Sequence, residues 1–244
     1  MSDPDAGARH AVILAGGRGT RLRPFTATLP KPLVPIGEDQ AILEIVLKQL
    51  VGRGFTRATL AIGHLGQLIQ AFVGDGSRWG IQVGYATEEQ PLGTMGPVVK
   101  ILDRLPDHFL VMNGDILTDL DYGDLLTAHI ASDNPITVAT YRREVNVDFG
   151  VLEIEDGVII GFSEKPILSY AVSMGVYALS RSTLSRYEPG APLGFDELMR
   201  DLIDRGERPG AFAFDGYWLD IGRPEDYERA NREFESLRGR LSVD

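Results

Sequence analysis

Residues 11–24 read Ala11-Val12-Ile13-Leu14-Ala15-Gly16-Gly17-Arg18-Gly19-Thr20-Arg21-Leu22-Arg23-Pro24, an apolar run that breaks abruptly into glycines and arginines. A short continuous apolar run closed by Gly-Gly fits a strand covered on both faces. The glycines let the backbone turn so that successive N–H groups point inward, and arginines add charge-assisted donors for phosphate oxygens. A strand ending in an anion-binding loop is therefore expected. Pro30-Lys31-Pro32 adds a cation, and no Asp or Glu falls between Gly16 and Gly37, where Arg18, Arg21, Arg23 and Lys31 cluster. Two familiar phosphate loops are excluded. A dinucleotide fingerprint needs Gly or Ala where Leu22 stands, and no Gly-Lys-Ser/Thr occurs. Taken alone, the stretch also fits a solvated turn.

Outward from this strand, apolar runs at 58–62, 81–86 and 109–112 alternate with amphipathic stretches at 42–51, 65–73 and 97–105. The alternation predicts an α/β fold: a doubly wound, Rossmann-like, mixed but mostly parallel sheet with helices on both faces. After Asp133 the pattern becomes strand-like at 136–141, 150–154, 158–163 and 172–179, predicting a longer sheet with a β-rich substrate-binding extension that acts as a lid. Helical periodicity returns at 195–203 and 225–237, where Arg223-Pro224 marks a helix start. No repeat or linker divides the chain, so residues 1–244 are read as a single domain with a flexible start at 1–9. Ligands in open sheets sit beyond the carboxyl ends of strands, so sites are expected after Ala15, Met112 and Ser163.

Composition narrows the function. A formal charge of -11 opposes binding to nucleic acid, which is gripped by excess Lys and Arg, so the local basic cluster points to a small polyanion. There is no cysteine, hence no disulfide framework or zinc-thiolate site, and no apolar run approaches the roughly 18 residues of a membrane span. A soluble, cytoplasmic protein without membrane partners is expected. His64, His108 and His129 lack metal-ligand spacing and His10 borders the expected flexible start, so none is given a role. No Gly-x-Ser-x-Gly elbow supports a covalent hydrolase.

The run 14–24 with Pro30-Lys31-Pro32 resembles the signature of the sugar nucleotidyltransferase family, which includes glucose-1-phosphate thymidylyltransferase and mannose-1-phosphate guanylyltransferase. Further motifs follow in that family's order. Pro91-Leu92-Gly93-Thr94-Met95-Gly96 is similar to its base-binding loop and Asn113-Gly114-Asp115 to its metal-binding turn. Phe149-Gly150-Val151, Phe162-Ser163-Glu164-Lys165-Pro166 and Gly216-Tyr217-Trp218-Leu219-Asp220-Ile221-Gly222 complete the series.

The resemblance implies transfer of a nucleotidyl group from a nucleoside triphosphate to a sugar 1-phosphate, with Mg2+ as cofactor and pyrophosphate as product. It gives catalytic roles to Arg21, Lys31, Asp115, Lys165 and Asp220, of which Asp115 and Asp220 would hold the metal. Leu14, Ala15, Gly16, Gly17, Gly19, Thr20 and Arg21 would carry the nucleotide, with Glu88, Pro91, Gly93 and Thr94 near its base. Gly150, Glu164, Lys165 and Ser173 would meet the sugar phosphate. Two aspartates suffice for magnesium, which is usually held by one or two carboxylates plus substrate phosphates. Either aspartate alone reads equally well as a turn residue.

The chain departs from the pattern at Ser173-Met174-Gly175-Val176-Tyr177, where many relatives carry Asn-Ala-Gly before an aromatic; the shorter Ser173 leaves the sugar open. The loop 88–97 looks closer to the guanylyltransferase branch. Guanine offers two donors, N1–H and its amine, which call for acceptors such as Glu88. GTP is therefore the expected donor. Gly63-His64-Leu65-Gly66-Gln67 and Gly74-Asp75-Gly76-Ser77 resemble uridylyltransferases, so a thymidylyl- or uridylyltransferase is the alternative within the family. A catalytically silent sugar-nucleotide sensor and a small kinase are the readings outside it, and a homo-oligomer is compatible with all. No hexapeptide repeat suggests an added β-helix domain.

Overall fold

The computed structural model describes residues 9–38, 40–88 and 90–241. Strand β1 (Arg9–Ala15) is followed by a loop of short 3-10 turns and by the two-residue strands β2 (Pro35–Ile36) and β3 (Gln40–Ala41). Then come α1 (Ile42–Gly52), β4 (Phe55–Ile62), α2 (Gly66–Val73), β5 (Gln82–Thr87), α3 (Gly96–Lys100), β6 (His108–Asn113), β7 (Ile116–Thr118) and α4 (Tyr122–Ile130). The later half holds β8 (Ile136–Asn146), β9 (Val151–Glu155), β10 (Val158–Ser163), β11 (Ile167–Ser180), α5 (Arg181–Leu184), α6 (Phe195–Asp204), β12 (Gly210–Phe214), β13 (Trp218–Asp220) and α7 (Pro224–Leu241).

Seven strands form the central sheet in the order β12-β8-β11-β6-β1-β4-β5. β1 runs parallel to β4 and β6, and β4 to β5, whereas β11 is antiparallel to β6 and β8. The mixed, mostly parallel doubly wound sheet matches the alternation read from the sequence.

Strand periodicity divides the core. Ala11, Ile13 and Ala15 of β1 with Leu110 and Met112 of β6 pack on one face against α1, α2 and α4. Val12, Phe109 and Val111 pack on the other against α3 and α6. A third cluster joins Leu22, Val34 and Ile36 of the loop after β1 to Leu117, Leu219, Ile221 and the α7 residues Phe234 and Leu237. Helix α1 serves two clusters: Leu43, Val46, Leu47 and Leu50 face the sheet, while Ile42 and Ile45 face the third. This double burial explains why α1 is apolar nearly all round.

Several expectations shift. The predicted helix 97–105 ends as an α-helix at Lys100 and continues as a 3-10 turn. α4 has no separate prediction, although Asp121 caps it by accepting from the N–H groups of Gly123 and Asp124 at 2.8 and 3.1 Å. The second-half strands do not all lengthen the sheet, because β9 and β10 pair only with each other. Residues 1–8 of the expected flexible start lie outside the described residues, but Arg9 and His10 belong to β1. Arg9 donates to the carbonyl of Arg53 at 2.7 Å, and the buried His10 ring pairs with the Thr59 hydroxyl at 2.9 Å. No helix among the described residues is long and apolar enough to cross a membrane.

His129 is fully buried, its ring nitrogens paired with the Thr137 and Ser180 hydroxyls at 2.9 and 3.1 Å. Burial, and then the neighbouring His108, push its pKa down to about 4. The unfolded chain therefore binds a proton that the native state refuses as pH falls below about 6.5, so the stability His129 confers is present above that pH and lost toward 4. Between pH 7 and 4.5, urea unfolding of the parent should lose on the order of 2 kcal/mol more than that of His129→Asn. Equal losses would contradict this assignment.

Candidate active site

From β1 the chain crosses to β4 and β5 on one side of the sheet and returns to β6 on the other. The winding reverses between β1 and β6, and a crevice opens there beyond the carboxyl ends of the strands. Glycines occupy those ends because backbones meet. Gly114 N–H donates to the Leu14 carbonyl at 2.9 Å. A Cβ on Gly63 would stand 3.0 Å from the Gly16 oxygen, and one on Gly114 3.0 Å from the Leu14 oxygen. The crevice is a cavity of about 730 Å³. It follows Ala15 and Met112, as expected, and also Ile62, a strand end not among those expected to carry a site. It does not follow Ser163, because β10 stands outside the central sheet.

All the residues expected to carry the nucleotide line this cavity: Leu14, Ala15, Gly16, Gly17, Gly19, Thr20 and Arg21 on one wall, Glu88, Pro91, Gly93 and Thr94 on another. Gly19 has φ 58°, a conformation that suits glycine, and its carbonyl accepts from the buried Thr26 hydroxyl at 2.7 Å. The N–H groups of Gly17, Arg18 and Gly19 make no hydrogen bond to described residues, so three donors stay free beside the Arg18 and Arg21 guanidiniums. Buried Leu22 anchors the loop in the third cluster.

Asp115 immediately precedes β7, and Asp220 ends β13. Antiparallel pairing of these strands sets Asp220 opposite Ile116, and Ile221 N–H donates to the Asp115 carbonyl at 3.1 Å. Two carboxylates far apart in sequence are thus held together by backbone hydrogen bonds. Lys31 forms an ion pair with Asp115 Oδ2, while Asp115 Oδ1 is buried without a partner. Burial raises the Asp220 pKa, and repulsion from Asp115 raises it further, against the pull of Lys31 and Arg21. An unpartnered buried carboxylate oxygen beside a second, repelled carboxylate fits a hard divalent cation. Among the described residues no group of three or more His, Cys, Asp or Glu could hold a metal, so these two would share it with ligand oxygens.

At the other end, half-buried Glu88 accepts from Leu92 N–H at 3.1 Å, and burial raises its pKa. Its Oε1 lies where a Gly16 Cβ would come within 2.8 Å, so Gly16 leaves room for this carboxylate. Glu89 lies outside the described residues. Gly63, His64, Gln90, Pro97 and Gly222 also line the cavity; the sequence reading placed them in family-like motifs but gave none of them a place in the site. Applying the strand-end rule to Ile62 would have found Gly63 and His64.

The expected sugar-phosphate residues do not line the cavity. Gly150, Glu164 and Lys165 belong to an arm that leaves the sheet through the far halves of β8 and β11 and carries the β9–β10 hairpin. Lys165 has φ 45°, and Phe162 lies where a Gly150 Cβ would come within 2.6 Å. Ser173 accepts from Gly175 N–H at 3.2 Å and so supports a register shift in β11 rather than facing the cavity. The arm's root nonetheless borders the site. A Cβ on Gly175 (φ 74°) would collide with Nδ2 of Asn113, a cavity residue, at 2.5 Å. Trp218 holds the same root, donating to the Met174 carbonyl at 3.1 Å and packing on Tyr141 at 5.3 Å between centroids.

Residues 10–236 match the family model described as nucleotidyl transferase. A mannose-1-phosphate guanyltransferase of Schizosaccharomyces pombe is 34% identical, covering 89% of this chain and 62% of the relative. A UTP–glucose-1-phosphate uridylyltransferase of Synechocystis is 33% identical, covering 95% and 63%. The chain thus spans under two thirds of the length of these relatives. Among solved structures, a putative glucose-1-phosphate thymidylyltransferase from Bacillus anthracis in complex with sucrose superposes with TM-score 0.73 at 25% identity, covering 92% of this chain and 94% of that one. HddC from Yersinia pseudotuberculosis complexed with GMP-PN gives TM-score 0.72 at 27% identity, covering 93% and 99%.

Lys31 is the cation that compensates the aspartate pair. Replacing it with Met should lower stability at pH 8 by about 1–2 kcal/mol, or about 3–6 °C in thermal midpoint. Millimolar Mg2+ should raise the midpoint of Lys31→Met more than that of the parent. Identical magnesium responses would argue against a cation at this pair.

Proposed function

Because the chain belongs to the nucleotidyl transferase family, we propose that it transfers a nucleotidyl group from GTP to a sugar 1-phosphate, releasing pyrophosphate. The observation that carries this reading is the meeting of loop donors, Arg21, Lys31 and Asp115 in one crevice, with Asp220 outside the cavity lining but close enough to Asp115, Lys31 and Arg21 to feel their charges.

The sugar phosphate is already ionised at neutral pH and needs no general base. Its oxygen attacks the α-phosphorus in line, the bond to the β-phosphate oxygen breaks, and pyrophosphate departs with the electron pair. The protein's work is positioning and charge compensation. The N–H groups of Gly17, Arg18 and Gly19 would cradle the phosphates, and Arg21 would stabilise the charge growing on pyrophosphate. Lys31 would hold Asp115 and the transferred phosphoryl group in register. Asp115 and Asp220 would hold Mg2+, which supplies charge neutralisation at the α-phosphate. Lys165, with Glu164 and Gly150, is assigned to the acceptor, which would enter past the arm's root.

Glu88 favours guanine. Its carboxylate lines the cavity where burial makes unmet acceptors costly, and guanine offers two donors where uracil or thymine offers a single N3–H. The uridylyl reading draws on the Synechocystis relative, and kcat/KM across triphosphates separates the two. GTP should exceed UTP and dTTP by well over roughly tenfold with the cognate sugar phosphate. Equal use of all three, or a preference for dTTP, would refute guanine selection and leave the transfer reaction standing.

Convergence of Arg21, Lys31, Asp115 and Asp220 speaks against a silent sensor, which is free to lose leaving-group and metal residues. Asp115→Asn and Asp220→Asn should each lower turnover by about 10²–10³, since losing one transition-state charge partner commonly costs about 3–4 kcal/mol. Parent-like turnover in either variant would remove the metal assignment.

A further inference from the structure

The β7–β13 pairing that brings Asp220 to Asp115 has three residues on each strand, and a two-stranded pairing of that size is marginal in water. Its register must nonetheless be right to the residue. Apolar packing resists a slip by one, which would turn Leu219 out of the third cluster. It does not resist a slip by two, because Tyr217, Leu219 and Ile221 all pack in that cluster and each can take its neighbour's place. Such a slip would carry Asp220 about 7 Å along the strand and away from Asp115. Hydrogen bonds can exclude it, because they are directional and apolar contacts are not.

Asp119, immediately after β7, supplies those bonds. Its Oδ1 accepts from Tyr217 N–H at 2.6 Å, and its own N–H donates to the Tyr217 carbonyl at 3.2 Å. The Thr118 hydroxyl donates to the same carbonyl at 2.7 Å. A Cβ on Gly216 would stand 2.6 Å from Asp119 Oδ1, so glycine there leaves room for the carboxylate. The other oxygen, Oδ2, accepts from Nε and Nη2 of Arg240 in the last turn of α7, at 2.9 and 2.6 Å. Tyr217 is tied to the same helix, its hydroxyl donating to Glu233 at 3.0 Å.

As an ion pair, Asp119–Arg240 adds little stability, since the Arg240 side chain is 54% exposed. What it adds is direction: the guanidinium holds Oδ2, which leaves Oδ1 aimed at β13. On the reading of Asp115 and Asp220 as the Mg2+ pair, we propose that Asp119 is a positioning residue for that pair. Locked by Arg240, it sets the register of β13 against β7 and holds Asp220 beside Asp115 from the opposite end of the ladder, about 13 Å away. Neither Asp119 nor Arg240 lines the cavity, so the last turn of α7 governs metal affinity without touching a substrate.

Mn2+ alone, standing in for Mg2+, tests this when it is titrated into the full chain and the free ion is counted by electron paramagnetic resonance. The parent should bind it, and Asp220→Asn should weaken the binding. Asp119→Asn, which turns an amide donor toward Arg240, should raise the dissociation constant roughly tenfold, the low end of what is lost when a group supporting a metal ligand is removed. Arg240→Met should raise it about threefold, the scale of an exposed ion pair, and Arg240→Lys should recover most of that loss. The two substitutions Asp119→Asn and Arg240→Met together should cost no more than Asp119→Asn alone, because Arg240 acts through Asp119. Should Asp119→Asn fail to fold, the Arg240 variants, changed at an exposed side chain, decide. A dissociation constant that Asp220→Asn raises but Asp119→Asn and Arg240→Met leave unchanged, even with lowered thermal midpoints, would overturn the proposal alone, as would losses that simply add. A parent whose Mn2+ binding does not depend on Asp220 would overturn the metal reading and the proposal with it.

Discussion

Two carboxylates from distant parts of the chain, Asp115 and Asp220, are held side by side at the edge of the crevice. Asp115 and Asp220 repel each other, and burial adds to the cost, so neither would choose this neighbour. The backbone enforces it through the antiparallel pairing of β7 with β13. Those short strands are fixed in turn by the third cluster, where Leu117 and Leu219 pack with Phe234 and Leu237 of α7. The same cluster takes Leu22, Val34 and Ile36 from the segment after β1, so one packing unit positions both the glycine-arginine loop and the acidic pair. Lys31, between them in space, partly compensates the repulsion.

The site therefore draws on opposite ends of the chain, and this bears on what the sequence could disclose. The first strand was legible because a buried parallel strand is a continuous apolar run, and the loop because glycines and arginines share one physical use. The α1–β4–α2–β5 alternation was legible from periodicity. β7 and β13 are three residues each, too short for any period, so spacing alone could not show that Asp115 meets Asp220; resemblance to a family pointed there. α4 escaped because only the Asp121 cap announces it, in a stretch with Gly123 and Asp124 in its first turn.

His64 illustrates a different limit. A lone histidine without metal-ligand spacing has no signature, and it reaches the cavity because β4 lies beside β1 in the sheet, a neighbour relation that only the topology supplies. Glu164 and Lys165 show the reverse. Their motif was plain, yet they stand on an arm outside the cavity lining, since the hairpin that carries them pairs with itself. The crevice is thus built by the central sheet, and the arm stands apart from its lining.

Pyrophosphate release shows directly whether this crevice joins a nucleoside triphosphate to a sugar 1-phosphate. The purified chain would be given Mg2+, each nucleoside triphosphate in turn and a panel of sugar 1-phosphates. Release should require both magnesium and one class of sugar phosphate, with GTP the best donor. Nucleotide binding without release, whatever the sugar phosphate, would contradict it.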